Sequence, residues 1–207
     1  MEPQILTRDE AIRLLRPLID QDLRALAMKY GVTVFKGQNL NKGWAGQTVE
    51  LAIGFQLNSR QAPDGGAWEL KVVPLQRKES SWFPKETMAI TMINPDHVRM
   101  TPFERSHLLA KLNHLVVCGR EFVDRSESRS KFISVGTFDL VGQDVFNQVE
   151  ADYELVQKVI QEQGFQALTG KMGILVQPRT KGPGHGSESR AFYARKNFVT
   201  TILGLKT

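Results

Sequence analysis

Along this chain the apolar positions recur first with a helical period, then with the period of strands, and finally with each in turn. Thr7-Arg8-Asp9-Glu10 has the form of a capping box and predicts a helix through Leu15, broken at Pro17, whose ring is excluded from a helix interior. Leu23, Leu26, Ala27 and Tyr30 make one apolar stripe of a second helix, from Asp20 to a stop at Gly31. A third helix is expected from Gly43 to Gln56, with Trp44, Val49, Ile53 and Leu57 turned inward and Glu50 also upon it. Strand signals follow at Trp68–Pro74, Thr87–Ile93 and Leu112–Cys118, and Lys131–Leu140 reads as a further strand. From Gln143 to Gln163 the helical period returns in Val145, Val149, Val156, Val159 and Ile160, and Gly164 closes it. A strand at Met172–Gln177, a glycine-rich loop at Pro178–Ser189, a short strand near Phe192 and a helix from Lys196 to Leu203 complete the pattern. The order of elements indicates an α/β fold with a mixed sheet flanked by helices, in one domain over residues 1–207.

Composition adds little until charge is placed along the chain. The 207 residues carry a net charge of +5. Seven lysines and arginines lie between Lys171 and Thr207 against one acid, Glu188, whereas six acids lie between Asp139 and Glu162 against Lys158 alone. A basic C-terminal face that includes Arg195 and Lys196 is what a phosphate backbone attracts; a solvated surface accounts for the same charges. The acidic stretch offers either a partner surface or an ordinary solvated helix face. No apolar run is long enough for a membrane span, the first residues lack the form of a secretory signal, and the single cysteine, Cys118, fits a reducing cytoplasm.

The candidate chemistry lies in Pro63-Asp64-Gly65-Gly66-Ala67-Trp68-Glu69-Leu70-Lys71. Residues at i and i+2 of a strand share a face, so Glu69 and Lys71 point together toward Asp64 while Trp68, Leu70 and Val72 face the core. Two carboxylates, Asp64 and Glu69, supply hard oxygen ligands for Mg²⁺. A lysine beside them can orient the attacking water and stabilise charge on a phosphate. The plain alternative is a half-buried strand with a polar outer face. Other chemistries fail on spacing: Gly164 to Lys171 imitates a P-loop but Met172 stands where Ser or Thr is needed, and the four histidines and one cysteine show no zinc-ligand pattern.

Four blocks resemble the MutH family of mismatch-repair endonucleases and the related type II restriction enzymes. These are Lys42-Gly43-Trp44-Ala45-Gly46 with Glu50, Glu69-Leu70-Lys71 with Pro74, Ser106-His107 through Lys111-Leu112, and Phe192-Tyr193-Ala194-Arg195-Lys196-Asn197-Phe198. The resemblance implies a restriction-endonuclease-like fold of two lobes around a DNA cleft. The N-lobe, about 1–95, would hold most of the acids, and the C-lobe, about 96–207, would hold Lys111 and the basic reading region. It implies that Asp64 and Glu69 bind Mg²⁺ with the Leu70 carbonyl as a further ligand, and that Lys71 stands near the attacking water. Glu50 becomes an additional acid, Lys111 a second lysine and Lys42 a phosphate contact. Tyr193 falls near the sensor of adenine methylation, and Arg179 and Lys181 in the base-reading stretch. The implied substrate is double-stranded DNA at a short, GATC-like site.

Two departures qualify the resemblance. The interval from Asp64 to Glu69 is short, which requires a tight turn at Gly65-Gly66, and the Gly182–Ser189 loop is this chain's own. Such loops read bases, which leans toward a restriction enzyme cutting both strands. The alternatives are a repair nickase licensed by a mismatch-repair activator protein, and a DNA-binding module whose acids are structural.

Overall fold

The computed structural model describes residues 6–55, 68–181 and 189–205, so Leu57, Asp64, Gly65, Gly66 and the loop residues 182–188 lie outside the described residues. The chain divides into two compact units whose segments alternate along the sequence. The first gathers the chain through Lys85 together with Leu115–Phe138 and the C-terminal residues from Leu203; the second gathers Glu86–His114 and Asp139–Ile202. The first begins with helices α1 (Arg8–Leu15) and α2 (Leu23–Lys29), the short strands β1 (Phe35–Lys36) and β2 (Asn39–Leu40), and α3 (Trp44–Ala52). Strands β3 (Glu69–Lys78) and β4 (Ser81–Pro84) follow. The chain enters the second unit with β5 (Met88–Met92), α4 (Pro95–Met100) and α5 (His107–Leu112), then returns for β6 (Leu115–Glu121) and β7 (Phe132–Phe138). It leaves again for α6 (Gln143–Gln163), β8 (Val176–Thr180), β9 (Arg190–Ala194) and α7 (Lys196–Ile202).

The first unit is built on a mixed sheet of order β4-β3-β6-β7, in which β3 and β6 run parallel and the other pairs antiparallel. Strand alternation turns Trp68, Leu70, Val116 and Cys118 toward one core, shared with buried residues of α1, α2 and α3. The capping box opens α1 as expected, with the Thr7 side chain accepting from the Glu10 amide and the Glu10 carboxylate accepting from Thr7. Helix α2 starts later than expected. Asp20 adopts φ +70° and pairs with Lys131, and Asp22 is the residue that caps the Arg24 amide. The third helix is likewise shorter, closing at Ala52.

Two strand boundaries differ from expectation for local reasons. The apolar run expected as a strand at Leu112–Cys118 is divided: Ser106 caps the Leu109 amide to open α5, and His114 at φ +68° turns the chain into β6. Lys111 therefore lies in the last turn of a helix and not at the start of a strand. The strand expected at Met172–Gln177 begins at Val176. Gly173 sits at φ +74°, and a Cβ there would lie 1.8 Å from the Val176 carbonyl oxygen, so the chain can turn there only with glycine. Asp152 holds this turn. Its carboxylate accepts from the Ile174 amide at 2.8 Å and from the Leu175 and Val176 amides at 2.7 Å each.

The second unit carries an antiparallel sheet of order β5-β9-β8 with α6 packed on β8. Helix α6 spans the residues expected of it, and its buried stripe includes Tyr153, whose hydroxyl donates to the Thr101 carbonyl. Burial pushes that phenol up to about 12. Among the described residues no helix is long and apolar enough to cross a membrane.

Asp152→Ala strands three amides without their acceptor, and a loss of about 3 kcal/mol in urea unfolding is expected; a loss below about 1 kcal/mol would contradict this account. Cys118 is fully buried, and burial raises its thiol far above the usual range. Ellman's reagent is expected to react with it only after unfolding.

Candidate active site

The Trp68–Glu69–Leu70–Lys71 segment forms the start of β3 and is fixed at its entry. The Trp68 indole donates to the Leu6 carbonyl at 2.6 Å, and its ring lies 5.5 Å from that of Phe55. Alternation then places Glu69 and Lys71 on the opposite face, where Lys71 Nζ lies 2.7 Å from Glu69 Oε1. The parallel register sets Leu115 beside Glu69 and Val117 beside Lys71, both buried. Glu69 is only 6% exposed, so this carboxylate is not the solvated outer face of an ordinary half-buried strand. A carboxylate taken out of water beside apolar neighbours requires a compensating charge, and Lys71 provides one. Asp64, the other expected acid, lies outside the described residues.

Helix α3 packs against β3 and carries Glu50, half-buried. A Cβ added at Gly46 would lie 3.8 Å from Glu50 Oε1, so the carboxylate folds back over the turn that Gly46 leaves open. The loop before the helix is set by Asn41. Its side chain accepts from the Gly43 amide and donates to the Thr33 carbonyl and to Gln47. Lys42, between these anchors, is exposed. Trp44 is buried with the Arg24 and Arg120 guanidiniums 5.8 and 5.0 Å from its ring centre. Arg120 in turn forms a two-pronged pair with Glu127, at 2.7 and 2.9 Å.

The remaining expected residues belong to the second unit. Lys111 is half-buried on α5. The β8–β9 register pairs Gln177 with Tyr193, which puts Arg179 on the face of Tyr193, with Lys181 just past the end of β8. The Arg179 guanidinium lies 5.5 Å from the Tyr193 ring centre and donates to Thr87 at 2.7 Å. Lys181 and Lys196 are exposed. Arg195 is otherwise engaged, donating to the carbonyls of Gly170, Met172 and Gly173 at 2.9 to 3.0 Å. Those bonds make it a brace for the turn ahead of β8, although charge counting alone grouped it with the phosphate-attracting cations.

Residues 53–136, which contain the Glu69–Lys71 strand, match the family described as DNA mismatch repair enzyme MutH. The DNA mismatch repair protein MutH of Haemophilus ducreyi is 24% identical over 197 residues, covering 87% of this chain and 86% of that protein. The type II restriction enzyme Sau3AI of Staphylococcus aureus is 24% identical over 179 residues, covering 79% of this chain and 37% of the enzyme. The chain is thus similar to MutH and to a related type II restriction endonuclease over most of its length. Among solved structures, the restriction endonuclease MvaI with its cognate DNA covers 89% of this chain at 12% identity and a TM-score of 0.40.

Within this MutH-related chain, two features of the site's support were not singled out from sequence. Asn41 reads as an ordinary loop residue, and its Asx-type bonds to Gly43 are visible only in the fold. Arg120 and Glu127 lie seven residues apart, and nothing in the spacing announces their pairing. Glu127→Ala would leave the Arg120 guanidinium buried and unpaired. A loss of about 3–5 kcal/mol in denaturant unfolding is expected, against under 1 kcal/mol for an exposed acid such as Glu162.

Proposed function

We propose that this DNA endonuclease of the MutH and type II restriction family uses Mg²⁺ to hydrolyse phosphodiester bonds in double-stranded DNA at a short, GATC-like site, as a restriction enzyme. The observation that carries the reading is the Glu69–Lys71 pair on β3, its carboxylate buried, inside the matched segment. The donor chemistry suits the cation: Glu69 and Glu50 offer carboxylate oxygens, the ligand type of a hard divalent ion. Asp64, Glu69 and the Leu70 carbonyl would hold it. When bound, such an ion supplies Lewis-acid polarisation of the phosphate and lowers the pKa of a water.

The chain's own residues do the rest. Lys71, kept beside Glu69, orients the attacking water and meets negative charge as it grows on the phosphate. Glu50 adds a further carboxylate from α3, and Lys111 a second cation. Lys42 and Lys196, both exposed, meet the DNA backbone. Arg179 and Tyr193, on one face of the β8–β9 pair, and Lys181 just beyond β8, read bases. Arg195 acts indirectly, by holding the turn before β8 in place.

A second reading is a nickase licensed by a mismatch-repair activator protein, supported by the similarity to MutH proteins. Plasmid DNA in unmethylated, hemimethylated and fully methylated form, incubated with Mg²⁺ or with EDTA, separates the two. Restriction yields linear fragments from unmethylated DNA; the nickase yields open circles, mainly from hemimethylated DNA. In either case Lys71→Ala is expected to slow cleavage about 100- to 1,000-fold. Cleavage that persists in EDTA, or that is unchanged in Lys71→Ala, would remove the basis for this reading.

A further inference from the structure

The strand that carries Glu69 and Lys71 does not end with the sheet. Pairing of β3 with β6 stops at Leu75 opposite Glu121, and pairing with β4 starts at that same Leu75, opposite Pro84. From Gln76 to Phe83 the chain is therefore a two-stranded ribbon with no third strand among the described residues. Its root is pinned by the Lys85 ammonium, 3.2 Å from the centre of the Phe122 ring, and its tip by the Arg77 Nε bond to the Glu79 carbonyl at 3.1 Å.

The composition of this ribbon is unlike that of a blunt surface hairpin. Gln76, Arg77 and Lys78 are consecutive and exposed, and the facing strand supplies two half-exposed aromatics, Trp82 and Phe83. The register places them with a definite geometry. Arg77 lies directly opposite Trp82 on one face, while Lys78 and Phe83 lie on the other as diagonal neighbours. Each face thus carries one cation and one aromatic. A ribbon lying flat on a single phosphate strand needs its cations on one face only. A cation on each face suits insertion between two phosphate walls, and the DNA major groove, about 12 Å wide, admits a two-stranded ribbon. Six residues of strand separate Lys71 from Arg77, about 20 Å, which is the rise of about six base pairs.

We propose that the Gln76–Phe83 ribbon enters the major groove about six base pairs from the cut, with Arg77 and Lys78 contacting phosphates on its opposite walls and Trp82 packing beside the backbone sugars. The proposal rests on the endonuclease reading above and extends the DNA footprint beyond the site chemistry.

Trp82 supplies the probe. Of the three tryptophans, Trp44 and Trp68 are 1% and 3% exposed, so a change of emission on binding reports mainly Trp82. A 30-base-pair duplex is titrated in EDTA, with binding followed by both anisotropy of labelled DNA and tryptophan emission at several salt concentrations. The wild type is expected to change its emission, and Trp82→Phe to bind with flat emission. Arg77→Ala/Lys78→Ala is expected to reduce the slope of log affinity against log salt by about 2, since each lost phosphate contact removes about 0.9. The charge-keeping Arg77→Lys/Lys78→Arg retains the slope; losing it there would make the Arg77 bond to Glu79 the operative feature and overturn the proposal. A wild type that cuts plasmid with Mg²⁺ while the alanine pair keeps the full slope overturns the ribbon contact alone. A wild type that neither binds nor cuts DNA overturns the endonuclease reading with it.

Discussion

The parallel pairing of β3 with β6 dictates how the rest of this chain is arranged. Two parallel neighbours cannot be joined by a tight turn, so the chain must leave the sheet after β4 and come back before β6. What it builds on that excursion, β5, α4 and α5, becomes the first half of a second unit, and the remainder is supplied only after β7. The interleaving of the two units is thus a consequence of one strand pair. The same pair lays Leu115 and Val117 beside Glu69 and Lys71, and so sets the apolar ground on which the ion pair rests.

That ground decides the character of the site. In open solvent a lysine two residues from a glutamate on a strand contributes little. With the carboxylate buried, the pairing is enforced by desolvation, and the two groups are held in one geometry before any substrate arrives. Preorganisation of this kind is what the proposed phosphodiester hydrolysis would require of these two groups, because donors already in place need no rearrangement as charge develops. Around it the chain invests in fixing elements: the Trp68 bond to Leu6 at the start of β3, Asn41 ahead of α3, and the Arg120–Glu127 pair beneath Trp44.

How much of this was legible in the sequence depended on the kind of signal. Helices with explicit end signals were read to the residue: α1 between its capping box and Pro17, and α6 up to Gly164. The mixed α/β class followed from the order of periodicities, and the shared face of Glu69 and Lys71 from alternation alone. Where an apolar run was continuous, periodicity could not locate the boundary. The left-handed residue at His114 and the close approach at Gly173 moved two strand starts, because those are facts of backbone geometry. Charge counting was blind to partners. It placed Asp152 with a solvated acidic stretch and Arg195 with phosphate-attracting cations, whereas both spend their charge on backbone groups around one turn.

The interleaved architecture also bears on how the protein emerges from the ribosome. Once Phe138 has left the ribosome, every strand of the mixed sheet is present and the first unit can close its core. The segment Glu86–His114 has also emerged by then, but its sheet partner β9 has not, so β5 waits with an unpaired edge through some fifty further residues of translation. Vectorial synthesis therefore imposes an order, first unit before second.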